Sequence, residues 1–355
     1  MKAIGIILAG GNNNRMKELT AKRAVPALPV AGSFRSIDFA LSSMSNSHIQ
    51  TVAVLTQYNA RSLNEHLSSS KWWNFGRKQG GLFLFTPTVT ADNSDWYRGT
   101  ADAMYQNIDF LKRRHEPYVI ISSGDCVYKL DFNRVLDFHI EKKSDITVVC
   151  KDMMYNDDVS RFGVVRMDDE SRITEFDEKP IEALSNTIST GIYVIRRRQL
   201  IELLEAAAEE NRFDFVNDIL VRYKNVKKIY GYKINSYWNN IADIDAYFKT
   251  NMDFLRPDVR SYFFREEPTI CSKVDDLPPA KFNPGSDISN SLVSSGCIIN
   301  GSVEDSVLFK QVFVGKNTTV KNCVILNDVY IGDNVHLENC IVESRGTINP
   351  NTCYC

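Results

Sequence analysis

The stretch IILAGGNNNRMKEL, Ile6–Leu19, reads as an apolar strand entering a glycine turn and then a helix. Strand, tight turn and helix in that order open a doubly wound α/β fold, with the turn at the carboxyl end of the first strand. Gly10 and Gly11 can present backbone N–H groups to an anion, and Arg15 can add a guanidinium at the mouth of the helix. Three asparagines stand where a phosphate-wrapping loop more often carries another glycine, so the same residues also suit a plain turn.

Working outward, strand-like runs at Ala3–Leu8, Thr51–Leu55, Tyr118–Ser122 and Ile146–Cys150 alternate with amphipathic stretches such as Asp102–Arg113. Tyr193–Ile195 and Lys228–Tyr232 add strands, and Arg198–Glu210 is helical by its apolar spacing at Leu200, Leu203, Leu204 and Ala207. A mostly parallel, Rossmann-like sheet is expected over 1–255, with ligands at the carboxyl ends of its strands. Between Arg256 and Asp287 the texture turns to Pro, Asp, Lys and isolated aromatics, which reads as a linker.

From 288 to 355 a different period takes over. Leu308, Val314, Val320 and Leu326 recur six apart, Ile331 and Leu337 continue the stride after a one-residue slip, and Gly315 and Gly332 each follow an apolar residue. This stride suits a left-handed β-helix, with a few antiparallel hairpins as the other solution. Short coils leave open ends, and Phe309 and Phe313 are expected to face a partner, so an oligomer is anticipated.

The chain has 355 residues, 43% of them hydrophobic, enough for one large domain and a smaller one. A net charge of −2 gives no bulk attraction to nucleic acid or an anionic membrane. No signal-peptide order or membrane-length apolar run is visible, so a cytoplasmic protein is expected. Eight cysteines without paired spacing and five scattered histidines point to reduced, mostly buried thiols rather than a zinc site.

Three further stretches carry chemistry. SSGDCVY puts Asp125 just past a strand, where a carboxylate can hold a metal ion against phosphate or simply cap a turn. WYRGTADA offers Trp96, Arg98, Gly99 and Thr100 for a flat base or a phosphate, and equally reads as a capped helix start. EFDEKP places Glu178 and Lys179 beside a proline, fit for a sugar hydroxyl and a phosphate or for a surface ion pair.

These pieces occur in one order along the chain: LAGG…R, KELTAKRA.PA, FRSIDFALS, TQY, WYRGTADA.YQN, GD.VYK.D, FG, EFDEKP, STGIY, and LPPAKF before the coils. Together they resemble bacterial glucose-1-phosphate adenylyltransferase, which joins ATP and glucose 1-phosphate into ADP-glucose and pyrophosphate for glycogen synthesis. The resemblance implies in-line attack on the α-phosphorus of ATP held by Mg²⁺, with catalysis by positioning and charge neutralisation. It makes Arg15 a triphosphate contact and Asp125 the first Mg²⁺ ligand. Gly10, Gly11, Gln57, Trp96, Arg98, Gly99 and Thr100 become the nucleotide side, and Glu178, Lys179 and Ser189 the glucose 1-phosphate grip.

Departures from that pattern fall at the chemistry. The loop carries Asn13 where the family has glycine, and Val25 replaces the lysine of KRAKPA. Val216 and Asn217 replace the Gly-Lys of DFGKDLIP, although Asp214 and Asp218 remain. Where the family reads YW.DVGT this chain reads YWNNIAD, with Asn240 at the position of the second Mg²⁺ ligand. Such losses resemble the GlgD-type subunit, which pairs with a catalytic GlgC-type subunit, and imply a heterotetramer in which this chain has little or no activity alone. The alternative is an active adenylyltransferase in which Asp243 or Asp245 replaces the missing ligand. Arg23, Arg35 and Lys22 are candidates for a phosphorylated effector or a solvated loop, and His336 would carry acyl transfer only if the coil were catalytic.

Overall fold

The structure, a computed structural model, describes residues 2–11, 14–76, 80–88, 95–154 and 157–355. Asn13 lies outside the described residues.

Ala3–Leu8 runs through the centre of a nine-stranded sheet because its Ile and Leu side chains are covered on both faces. Thr51–Leu55 and Tyr118–Ser123 flank it in parallel, and Gly81–Phe85 extends the parallel run at one edge. Beyond Tyr118–Ser123, the strand Thr187–Arg196 is antiparallel, followed by Ile146–Asp152 and Ile229–Lys233. The hairpin Gly163–Met167 and Ile173–Glu178 joins the start of Thr187–Arg196 where Ile188 meets Val164. The expected mostly parallel sheet is therefore present, with Thr187–Arg196 reversed inside it and Ile173–Glu178 reversed at its edge.

Two expectations about helices change. The amphipathic run Asp102–Arg113 is two helices, Thr100–Tyr105 and Ile108–Lys112. At the break, the Asn107 side chain donates to the Ala103 carbonyl at 2.8 Å and to the Tyr97 hydroxyl at 2.9 Å, a side-chain competitor for backbone partners. After the glycine turn, Asn14–Thr20 forms 3-10 turns broken at Lys17, whose φ is 45°, instead of an α-helix.

The stretch read as a linker contains the helix Pro257–Phe264. Proline at its start has no N–H to lose, and Phe263 is fully buried, with its ring 5.3 Å from that of Phe39. Short strands begin at Lys281–Phe282, so the irregular connection is 265–280.

The C-terminal part is a parallel β-helix of three sheets with five, five and four strands. After a first coil that pairs Asp287 with Ser302 and Leu292 with Val307, successive coils superpose residues 17 apart, as the side-chain ladder Asn317, Asn334, Asn351 shows at 3.2 and 3.0 Å. Many of its corners sit in the left-handed region at Asn or Asp, including Asn317, Asn322, Asp328, Asn334 and Asn339, which is why the intervals are rich in asparagine. Gly315 sits where a Cβ would lie 2.4 Å from the Gly332 carbonyl oxygen, so the coils stack only over glycine.

One face of the coil, including Val307, Phe309, Val324 and Leu326, closes a core with Met16, Leu28, Phe39, Tyr247 and Phe254 of the N-terminal domain. Phe309 is thus buried within the chain, against the expectation that it awaits a partner. Phe313 instead lies on another face, where its ring stacks on Tyr330 at 4.9 Å and 7°. All eight cysteines are free thiols, with Cys126, Cys150, Cys297 and Cys323 buried and Cys271, Cys353 and Cys355 exposed, so burial holds for only part of the set. No helix among the described residues is long and apolar enough to cross a membrane.

Candidate active site

A cavity of ≈ 530 Å³ opens at the carboxyl ends of the central strands, lined by Gly10, Gly11, Val25, Gln57, Tyr58, Tyr97, Arg98, Gly99, Thr100, Ser123 and Asp125 among others. Parallel strands with crossovers bring these loops together at one edge, as the doubly wound topology requires. Eight of the residues singled out in the sequence, including Val25, therefore share one cavity.

The wall expected to face the nucleotide is held by hydrogen bonds. The Gln57 carboxamide donates to the Tyr97 carbonyl at 3.2 Å and accepts from the Tyr97 N–H at 3.0 Å, so both its polar ends are committed to backbone. Trp96 stacks on Tyr58 with centroids 5.6 Å apart and planes 16° apart, and both rings are solvent-exposed. Arg98 donates to Asp102 at 2.8 Å, a hydrogen bond that raises its pKa, and its guanidinium lies 3.9 Å over the Phe213 ring. Gly99 is needed because the Phe213 carbonyl, which accepts from the Ala101 N–H at 2.8 Å, would sit 2.4 Å from any Cβ. Thr100 accepts from the Phe215 N–H at 2.8 Å. These contacts tie WYRGTADA to the DFVNDIL segment, where Asp214 and Asp218 accept backbone N–H groups, Val216 is half-buried and Asn217 is exposed.

The sugar-phosphate candidates lie on the reversed strand, which carries Ser189, and at the end of the hairpin beside it, which carries Glu178 and Lys179. Ser189 donates to the Tyr193 hydroxyl at 3.3 Å. Glu178 is 3.3 Å from the exposed Lys179 ammonium, and burial raises its carboxyl pKa against the opposing pull of Lys179. Lys179 has φ 50°, and its N–H donates to the Phe162 carbonyl at 3.0 Å.

Val25 is buried and packs with the core cluster of Met16, Leu28 and Phe39, so the position expected to carry a lysine is a core contact. Arg15 sits in the first 3-10 turn, within electrostatic reach of Asp158 and Arg161. Lys22, Arg23 and Arg35 line a separate ≈ 930 Å³ cleft between the domains, in which Arg23 is paired with Glu343 of the coil. His336 lies on the coil 3.7 Å from Glu338, away from both cavities.

Around Asp125 the donors do not fit a two-carboxylate cation site. Asp125 accepts from the Ser123 hydroxyl at 2.5 Å. Asn240 faces Cys126 across the strand pair Trp238–Asn240 and Cys126–Tyr128, but its carbonyl oxygen accepts from the Ala242 N–H at 3.0 Å and its amide lies 3.4 Å from the Cys126 sulfur. Asp243 caps the helix Ile244–Asp253 through the Ala246 N–H at 2.7 Å and forms an ion pair with Arg161. Asp245 lines a third cleft, with Glu18, Phe248 and Ile341. Among the described residues no three carboxylates, histidines or cysteines gather around a metal-sized space. Burial pushes the Cys126 thiol well up, so it remains protonated beside Asp125.

Arg161 lay outside the motifs singled out in the sequence, whereas Tyr58, Tyr97, Asp102 and Tyr193 lay within TQY, WYRGTADA and STGIY without an individual role. Arg161 directly precedes the FG pair that contributes to the family pattern, and that adjacency is the one signal that points to it.

Comparison with known proteins agrees with this geometry. The family model described as Nucleotidyl transferase matches residues 4–256, and the one described as GlmU-like, C-terminal hexapeptide matches 278–353. The chain is 38% identical over 320 residues to the glucose-1-phosphate adenylyltransferase of Clostridium novyi (strain NT), covering 89% of this chain and 84% of the relative. Against the proteins of that name from Clostridium beijerinckii (strain ATCC 51743 / NCIMB 8052) and Bacillus subtilis (strain 168), identity is 40% and 37%, over 89% and 90% of this chain and 83% and 84% of theirs. A strand-end cavity lined by the expected nucleotide-side residues, a hexapeptide coil and this level of identity over most of both partners' length establish that the chain belongs to the glucose-1-phosphate adenylyltransferase family.

Proposed function

We propose that the chain is a GlgD-type subunit of glucose-1-phosphate adenylyltransferase, with little or no turnover alone, that regulates or stabilises a catalytic GlgC-type homologue in a mixed tetramer. The observation that carries the reading is at Asn240: its amide oxygen accepts from a turn N–H, and the replacement carboxylate closest in sequence, Asp243, is paired with Arg161 and capping a helix. A neutral amide already engaged by backbone is a poor cation ligand beside a carboxylate. Discharge of the phosphate end at Val25 adds to the loss, because a charge that stabilises the transition state is absent.

Assembly has a matching surface. The outward ladder Lys281, Ile298, Phe313, Tyr330, Thr347 presents an apolar strip on a coil face other than the one closed against the N-terminal domain. Ile298 and Tyr330 are exposed there, which suits burial against a homologous subunit. The test is ADP-glucose formation from ATP and glucose 1-phosphate by the chain alone, by a catalytic homologue alone, and by the two co-expressed. A changed rate or effector response in the mixture with negligible turnover by this chain supports the proposal. Robust turnover by the isolated chain refutes it.

A further inference from the structure

We infer that Arg161 is a phosphate-binding residue of this chain and supplies, as a fixed guanidinium, the positive charge that a divalent cation supplies in a two-carboxylate site, so that a sugar phosphate docks without metal. The inference rests on the reading that the metal site is degenerate, and it concerns binding, which that reading leaves open.

Position comes first. Arg161 precedes Phe162, whose carbonyl accepts the Lys179 N–H at 3.0 Å, so its backbone is joined to the sugar-phosphate side. The Phe162 ring packs edge-on against Trp238 at 5.6 Å, and Trp238 begins the strand that ends at Asn240 opposite Cys126. The guanidinium pairs with Asp243, three residues beyond Asn240. Arg161 is therefore joined through Phe162 to Lys179 and through Asp243 to the segment that carries Asn240, and it is within electrostatic reach of Cys126 beside Asp125.

Charge and donors agree with that position. The family pattern YW.DVGT aligns its threonine with Asp243, so this chain has lost a carboxylate at 240 and gained one that grips an arginine. Asp243 takes Nη1, while Nε is buried with no hydrogen-bond partner among the described residues. A guanidinium carries five N–H donors in a planar fork matched to phosphate oxygens, and an unsatisfied buried donor is costly unless a ligand meets it. The side chain is 24% exposed, so the fork is reachable from solvent yet shielded enough for a charge-assisted bond to count. Arg15, within electrostatic reach, adds a second positive charge to the same region.

The experiment is calorimetric titration of glucose 1-phosphate into the full chain in buffer with Mg²⁺ and in buffer with EDTA. Affinity should agree within about 2-fold between the two, and Arg161→Gln should weaken it by about 10-fold or more, the scale of a lost charge-assisted hydrogen bond. Arg161→Lys should retain part of the affinity by keeping the charge. Asp243→Asn keeps the helix cap while removing the competing carboxylate, and should tighten binding several-fold. Binding that requires Mg²⁺, binding indifferent to Arg161→Gln, weaker or unchanged binding in Asp243→Asn, or no saturable heat in the unmodified chain each overturns the assignment. Turnover by the isolated chain would refute the regulatory reading and leave Arg161 untouched, whereas Mg²⁺-dependent binding would remove Arg161 and leave the regulatory reading intact.

Discussion

Asn240→Asp tests the chemistry at its most exposed point. In the structure the Asn240 carbonyl oxygen accepts from the Ala242 N–H at 3.0 Å, and an aspartate keeps that bond. The amide that faces the Cys126 sulfur at 3.4 Å becomes a second oxygen, and the protonated thiol can donate to it. The fold should therefore tolerate the change at a cost of about 1 kcal/mol, mainly repulsion from Asp125. Restoring one transition-state-stabilising contact is worth on the order of 10²-fold in rate, or ~2.7 kcal/mol of barrier at 1.36 kcal/mol per decade. Adding Val25→Lys should raise turnover further because both groups serve one transition state, although burial of Val25 means the lysine loses about 1–3 kcal/mol of stability. Pyrophosphate release at saturating ATP, glucose 1-phosphate and Mg²⁺ measures the rate, with thermal melting as the control for folding. A variant that melts normally yet shows no gain over the unmodified chain would refute the claim that Asn240 limits catalysis, as would robust turnover before any substitution.

Three other outcomes follow. Lys179→Ala should abolish the saturable heat of glucose 1-phosphate binding while leaving the melting temperature unchanged, since its ammonium is exposed and its partner Glu178 is half-buried; retained heat would move the grip elsewhere. Burial lowers the pKa of His139 to about 4, against an ordinary value of 6.5, so the unfolded state binds the proton more readily. Stability from this group is complete above pH 6.5 and is lost as pH falls toward 4, by on the order of 3 kcal/mol, and denaturant melts of His139→Leu should show a flatter acid limb. Tyr330→Glu, on the outward ladder, should prevent co-purification with a catalytic homologue at a stability cost of only about 1 kcal/mol from the lost stacking on Phe313, because its ring is 47% exposed. Deleting 286–355 is a poorer probe of assembly, since it would strip Val307, Phe309, Val324 and Leu326 from a core shared with the N-terminal domain.

The sequence by itself determined the alternation of strands and helices around Ala3–Leu8, the strand-end edge at which the cavity opens, the coil, and the residues that mark the family. Each of these is written in local periodicity or in a turn that needs glycine, and local spacing survives without knowledge of what packs where. It also marks Val25 and Asn240 as departures from the family resemblance, because a missing charge is visible as a letter. Tertiary structure alone decided what the retained groups do. Arg98 is spent on Asp102 and Phe213, and Gln57 on the backbone of Tyr97. Phe309 fills a core between the two domains, and the helix Pro257–Phe264 anchors the connection through Phe263. Arg161 and Asp243 meet from segments far apart in the chain. Pairings of this kind arise from the packing of distant elements, where burial and competition for hydrogen-bond partners select the contact, and no spacing along the chain encodes them.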